Sequence, residues 1–175
     1  MKILLIYPYF LEERVHVEEI RVLPQGIFFV AALCRQHGHD VEILNWYDIH
    51  RRPQEIREAL KKTRPDIIGF SILHANRWGG IDIAKIAREI DPAVHIVFGG
   101  IGATYLWEHL LANFVDIDYV VLGEGEVCFL ELIRCLESGR ASDIPAVGGL
   151  ALRRDGKPVC TEPAQPVASL DTLPN

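Results

Sequence analysis

No stretch of this 175-residue chain is apolar for long enough to cross a membrane or serve as a signal core; the opening Met1-Lys2-Ile3-Leu4-Leu5-Ile6-Tyr7 stops at Pro8. A basic surplus is missing too. The net charge is −6, which argues against a nucleic-acid surface. The basic clusters Arg51-Arg52, Lys61-Lys62-Thr63-Arg64 and Arg153-Arg154 read as solvated helix ends and turns. The four cysteines (Cys34, Cys128, Cys135, Cys160) form no C-x-x-C pair. They read as reduced thiols, with Cys128 and Cys135 as core positions of one helix, and the protein is expected in the cytoplasm. There is no internal repeat, no low-complexity segment, and no Ser-His-Asp or Cys-His arrangement for nucleophilic catalysis. His37-Gly38-His39 is the one tight histidine pair, and at a helix-to-strand turn it reads as surface rather than metal site.

What the chain does have is strict alternation. Residues 3–7 form an apolar run typical of a strand buried on both faces, closed by Pro8, which has no amide hydrogen for a ladder. A charged, glycine-poor loop leads to Pro24, which opens a helix. Gly26 to Cys34 shows little polar face, so that helix is expected to be deeply packed, with Gly38 as its left-handed cap. Further strands are expected at 40–45, 67–72, 94–98 and 119–122, and further helices at 53–62, 81–90, 104–113 and from 126 to 136. Five βα units give an α/β fold: a Rossmann-like (flavodoxin-like) five-stranded parallel sheet, order 2-1-3-4-5, helices on both faces. After them, Arg154-Asp155-Gly156-Lys157 between two short runs signals a C-terminal β-hairpin. Two regions follow: a domain over 1–140, then hairpin and linker over 141–175.

In such a sheet the ligand lies outside the carboxyl ends of the strands. The loop after the first strand has no glycine, which excludes a dinucleotide fingerprint and a flavodoxin phosphate loop. No G-x-x-x-x-G-K-[ST] is present, and Tyr7-Pro8 and Ser71-Ile72 stand where a phosphoacceptor receiver needs carboxylates. Glycines concentrate instead after the fourth strand, Gly99-Gly100-Ile101-Gly102-Ala103-Thr104, and after the fifth, Gly123-Glu124-Gly125. Close backbone approach, small hydroxyls (Ser71, Thr104) and aromatics suit a large, flat, partly apolar ligand rimmed with amides.

Ser71-Ile72-Leu73 followed by Gly99-Gly100 resembles the S-x-L … G-G pair of cobalamin-binding domains. With residues 65–71, 97–104 and 118–126 in this order, the chain resembles the N-terminal cobalamin (B12)-binding domain of cobalamin-dependent radical SAM enzymes from Met1 to about Leu136. Ser169-Leu170-Asp171-Thr172-Leu173-Pro174 resembles the linker that precedes the radical SAM barrel in that family. Two departures stand out. D-x-H-x-x-G, whose His ligates cobalt in methionine synthase and the mutases, is absent, as it commonly is in radical SAM members, so the resemblance implies base-off binding with no protein His from the first loop. The cluster motif C-x-x-x-C-x-x-C is absent as well, so the chain looks like a cofactor module that catalyses nothing alone.

The resemblance implies cobalamin as cofactor, with S-adenosylmethionine and a 4Fe-4S cluster in the full-length enzyme, the radical SAM barrel as partner in cis, neither nucleic acid nor membrane, and methyl transfer or less often cyclase or ring-contraction chemistry. Gly99, Gly100 and Gly102 would admit the corrin or its tail, or simply make a tight turn. Ser71, with Leu73 beside it, would hydrogen-bond the tail, or cap local backbone. Thr104 would be a helix N-cap, a ligand group or both. Gly123, Glu124 and Gly125 would offer backbone groups to corrin amides, while Glu126 suits a helix dipole. His74, Asn76, Arg77 and Trp78 would pass beneath the corrin, His74 being the candidate cobalt ligand from below; Tyr9 and Phe10 would flank the ring. The alternative is a vestigial domain without corrinoid, used for docking or substrate specificity. A nucleotide-using enzyme on the same fold is the further rival, opposed by the first loop.

Overall fold

A computed structural model describes residues 1–10, 25–46 and 52–164. Of the residues singled out above, most of the first loop with Pro24, Arg51, and the 169–174 linker lie outside them.

The parallel part of the sheet comprises β1 (Lys2–Tyr7), β2 (Asp40–Asn45), β3 (Ile67–Ser71), β4 (His95–Gly99) and β5 (Tyr119–Val121). The helices are α1 (Gln25–Gln36), α2 (Pro53–Thr63), α3 (Arg77–Ile90), α4 (Ile101–Asn113) and α5 (Glu126–Glu137). A 3-10 helix over Ala141–Ala146 leads to β6 (Leu150–Arg154) and β7 (Lys157–Cys160). The strand order is β2-β1-β3-β4-β5-β6-β7, with β6 and β7 antiparallel. The expected 2-1-3-4-5 order and the hairpin are both present. Asp155 and Gly156, at φ 52° and 75°, make the two-residue turn that joins β6 to β7.

The sheet separates two cores. Ile56 and Leu60 of α2, Ile83 of α3 and Leu110 of α4 pack on one face with Leu4, Ile6, Ile68 and Phe98. Ile27 and Cys34 of α1 and Phe129, Leu132 and Ile133 of α5 pack on the other with Ile3, Leu5, Val97 and Val121. Alternate residues of each strand therefore serve opposite cores, as the period of two requires.

Three expectations change. The helix expected from Ile81 begins at Arg77, so Trp78, Gly79 and Gly80 form its first turn. Two adjacent glycines lower helix propensity, but the tertiary neighbours require them. A Cβ on Gly79 would lie 2.2 Å from the Tyr9 carbonyl oxygen, and one on Gly80 would meet Ile72 at 2.8 Å. The helix expected from Thr104 begins at Ile101, with Gly100 at its N-cap, φ 89°. Finally, α1 is not packed all round: Ile27, Ala31, Leu33 and Cys34 are buried, whereas Phe28 and Phe29 are exposed. One helix resting on one sheet face has only one side to bury.

Candidate functional site

At the carboxyl edge of the sheet, on the α1/α5 face, lies a cleft of about 400 Å³. Its floor is made by Leu5, Gly69, Val97 and Val121. Gly26, Ile27 and Val30 of α1 and Phe129 of α5 wall it on the helix side, and Ser71, Gly99, Gly100, Gly123, Glu124 and Gly125 form the rim. Gly69 is the tightest spot of that floor for a side chain. A Cβ there would meet Leu5 Cδ2 at 2.7 Å and Phe129 Cζ at 3.4 Å, so two side chains converge where a third has been left out.

The rim is held by backbone. Ser71 pairs with Gly99, Ile72 N–H donates to the Gly99 carbonyl at 2.7 Å, and Gly102 N–H donates to the Ile72 carbonyl at 2.9 Å. A Cβ on Gly102 would lie 2.5 Å from the Leu73 carbonyl carbon, and one on Gly100 would lie 2.9 Å from the Ile72 oxygen. The turns after β3 and β4 are therefore pressed main chain to main chain.

The side chains named from sequence divide by place. Ser71, Leu73, Gly99, Gly100, Gly123, Glu124 and Gly125 line the cleft. Ser71 is half-buried, and its hydroxyl makes no hydrogen bond among the described residues. Asn76 is fully buried. Its Oδ1 accepts from Leu73 N–H at 2.7 Å and its Nδ2 donates to the Ser71 carbonyl at 3.2 Å, so the amide clamps the turn that presents Ser71. Gly102 sits behind the rim. Thr104 donates its hydroxyl to the Gly100 carbonyl and accepts from Gly123 N–H, both at 3.0 Å. His74 is exposed outside the cleft lining, its carbonyl accepting from Arg77. Trp78 stacks edge-on against Phe114 beneath the Arg77 guanidinium. Tyr9 is buried in the opposite core; its hydroxyl donates to Asp82, and burial together with that carboxylate pushes its pKa up.

A second cleft of about 410 Å³ lies at the amino edge, between α2 and α3, lined by Leu60, Ile68 and Ile90 with Arg64 and Lys61. It lacks glycines, and in an open α/β sheet ligands gather at the carboxyl edge, so the first cleft is the candidate site. Among the described residues no cluster of three or more His, Cys, Asp or Glu is arranged to hold a metal ion.

The family model of the B12 binding domain matches residues 19–133, well over half the chain. The chain belongs to the B12-binding domain family. An uncharacterized methyltransferase of Pyrococcus horikoshii is 33% identical over 99% of this domain, which covers 37% of that relative. The anaerobic magnesium-protoporphyrin IX monomethyl ester cyclase of Rubrivivax gelatinosus is 29% identical over 86% of this domain and 28% of its own length. The chain thus spans about a third of the curated relatives it matches. Among solved structures, the radical S-adenosylmethionine methyltransferase TsrM from Kitasatospora setae, with cobalamin and a 4Fe-4S cluster bound, superposes with a TM-score of 0.77 at 20% identity over 99% of this domain and 30% of that chain. The cobalamin-dependent radical enzyme OxsB, with aqua-cobalamin and S-adenosylmethionine bound, gives 0.73 at 17% identity over 94% and 22%.

Sequence reading of this B12-binding domain missed the apolar half of the cleft: Gly69, Gly26, Val30 and Phe129. Gly69 carried a signal. A glycine inside a buried strand loses entropy and packs nothing, so it marks a close approach. Phe129 carried none, because a core phenylalanine and a cleft-lining one look alike in a helical pattern.

Proposed function

We propose that this B12-binding domain holds cobalamin at the carboxyl edge of its sheet, as the cofactor module of a cobalamin-dependent radical SAM methyltransferase. The carrying observation is Ser71: a half-buried hydroxyl, without a partner among the described residues, at the rim of an apolar cleft lined by Leu5, Gly69, Val97 and Phe129. That combination fits a flat heterocycle with a few polar atoms, such as the nucleotide tail of a base-off corrinoid. Gly99, Gly100, Gly123 and Gly125 would meet the amide-rimmed macrocycle with bare backbone, and Glu124 would face its edge. His74, Asn76 and Trp78 lie on the turn and first helical residues after β3, so His74 remains the cobalt-ligand candidate below the ring. When bound, the corrinoid would supply a methyl group carrier.

The chain's own residues do the rest: Phe129, Val97 and Leu5 exclude water from the tail, Ser71 orients it, and the clamped turns give the macrocycle a fixed seat. In this reading residues 1–140 form the cofactor domain, and 141–175 lead toward a radical SAM barrel that brings S-adenosylmethionine and a 4Fe-4S cluster in cis. The net charge of −6 supports a role without nucleic acid, and no described helix is long and apolar enough to cross a membrane. Four unpaired thiols agree with a cytoplasmic setting.

Mixing the chain with hydroxocobalamin, followed by gel filtration and a visible spectrum, tests this. Stoichiometric co-elution is expected for the native chain, and its loss for Gly69→Val, whose side chain would displace Leu5 and Phe129 from their places in the cleft lining. Absence of co-eluting absorbance with the native chain would overturn the proposal.

A further inference from the structure

The turns after β3 and β4 are joined by main-chain hydrogen bonds, but those after β4 and β5 are not. The β4–β5 ladder ends at Phe98 and Val120, and β5 is only three residues long. Beyond that pair, the hydrogen-bonded link between the two turns among the described residues is the Thr104 hydroxyl, which donates to Gly100 and accepts from Gly123. Gly123 needs such a tether. It sits at φ 68°, a Cβ there would meet nothing within 4 Å, and Leu122 before it is held from the other side, by Gly149. The rim segment Gly123-Glu124-Gly125 therefore has main chain behind it and one side chain in front of it.

We infer that Thr104 is a positioning residue that fixes the width of the cleft mouth, and so determines how well the domain takes a corrinoid with its nucleotide tail over one without. This rests on the reading above. The hydroxyl spends its proton on Gly100 and a lone pair on Gly123, so it has little left to offer a ligand directly. Its effect passes through the spacing of Gly100 and Gly123, two neighbouring residues of the cleft rim that it joins. A ligand that threads the mouth feels that spacing; one resting on top does not.

The test compares the native chain with Thr104→Val and Thr104→Ser, titrated with hydroxocobalamin and with cobinamide, which lacks the nucleotide tail, and melted in parallel. Valine keeps the shape and removes both bonds; serine keeps both. Thr104→Val should weaken cobalamin binding ~10-fold, the scale of one or two lost hydrogen bonds, while cobinamide binding stays unchanged and Thr104→Ser restores the native ratio. Equal losses for both ligands, no loss for either, or failure of serine to rescue would each overturn the inference. A native chain that binds neither ligand would instead overturn the reading beneath it. If Thr104→Val does not fold, the inference stands or falls on Thr104→Ala under the same criteria.

Discussion

Gly99 and Gly102 lie three positions apart in one turn, and only one of them needs to be glycine. A Cβ on Gly99 would find Val121 at 3.8 Å, ordinary contact. On Gly102 it would enter the Leu73–His74 peptide, which is backbone and cannot move aside. Gly102→Ala is therefore expected to cost about 1–3 kcal/mol in urea denaturation, and Gly99→Ala less than about 0.5 kcal/mol. Equal costs would show that the turn has more room than these distances allow. From sequence the glycines looked alike, because their difference lies in a loop some thirty residues earlier in the chain. Ser71 was legible as a hydroxyl ending a buried strand, open to a ligand role or a local cap; that it lines the cleft needed the fold. Asn76 was read as a residue passing beneath the corrin; that its amide is spent clamping the Ser71 turn needed the fold.

The β6–β7 hairpin shows what an element contributes beyond its own pattern. Its turn could be read from Asp155-Gly156, but not where it docks. Helix α4 ends without a basic residue in its last turn, leaving carbonyls that need donors. Arg153 of β6 supplies them: its guanidinium donates to the carbonyls of Leu111 (2.9 Å), Phe114 (2.5 Å) and Ile117 (2.7 Å). A planar fork can reach three acceptors at once, which a lysine ammonium on a flexible stem does less well. Arg153→Met should destabilise by about 2 kcal/mol and lower the melting midpoint by ~4–8 °C, with Arg153→Lys recovering part of it. An unchanged midpoint would mean that water caps α4 equally well. The start of α3 carries the same lesson: Gly79-Gly80 reads as loop by propensity, yet Tyr9, Ile72 and Phe98 leave room only for a helix without side chains there.

At the scale of the molecule, three of the four thiols share one core. Cys34, Cys128 and Cys135 belong to the α1/α5 face that also floors the cleft, while Cys160 is exposed on β7. Burial pushes Cys34 and Cys128 up to about 12, with Glu131 adding to the rise at Cys128, so both stay protonated at pH 8. Iodoacetamide at that pH should label Cys160 in the native protein, and the other three together once urea unfolds the face. Rapid native labelling of Cys34 or Cys128 would contradict so closed a core. The sequence by itself determined the alternation of five βα units, the strand order, the hairpin and the family resemblance, because periodicity and short motifs are local properties of a chain. Only the tertiary structure decided that Phe129 packs onto Gly69 in the cleft lining, that Gly102 abuts Leu73 while Gly99 does not, and that Thr104 ties two rim turns together. Those facts depend on distances between residues far apart in sequence, and such distances exist only once the sheet has brought its carboxyl ends to one edge.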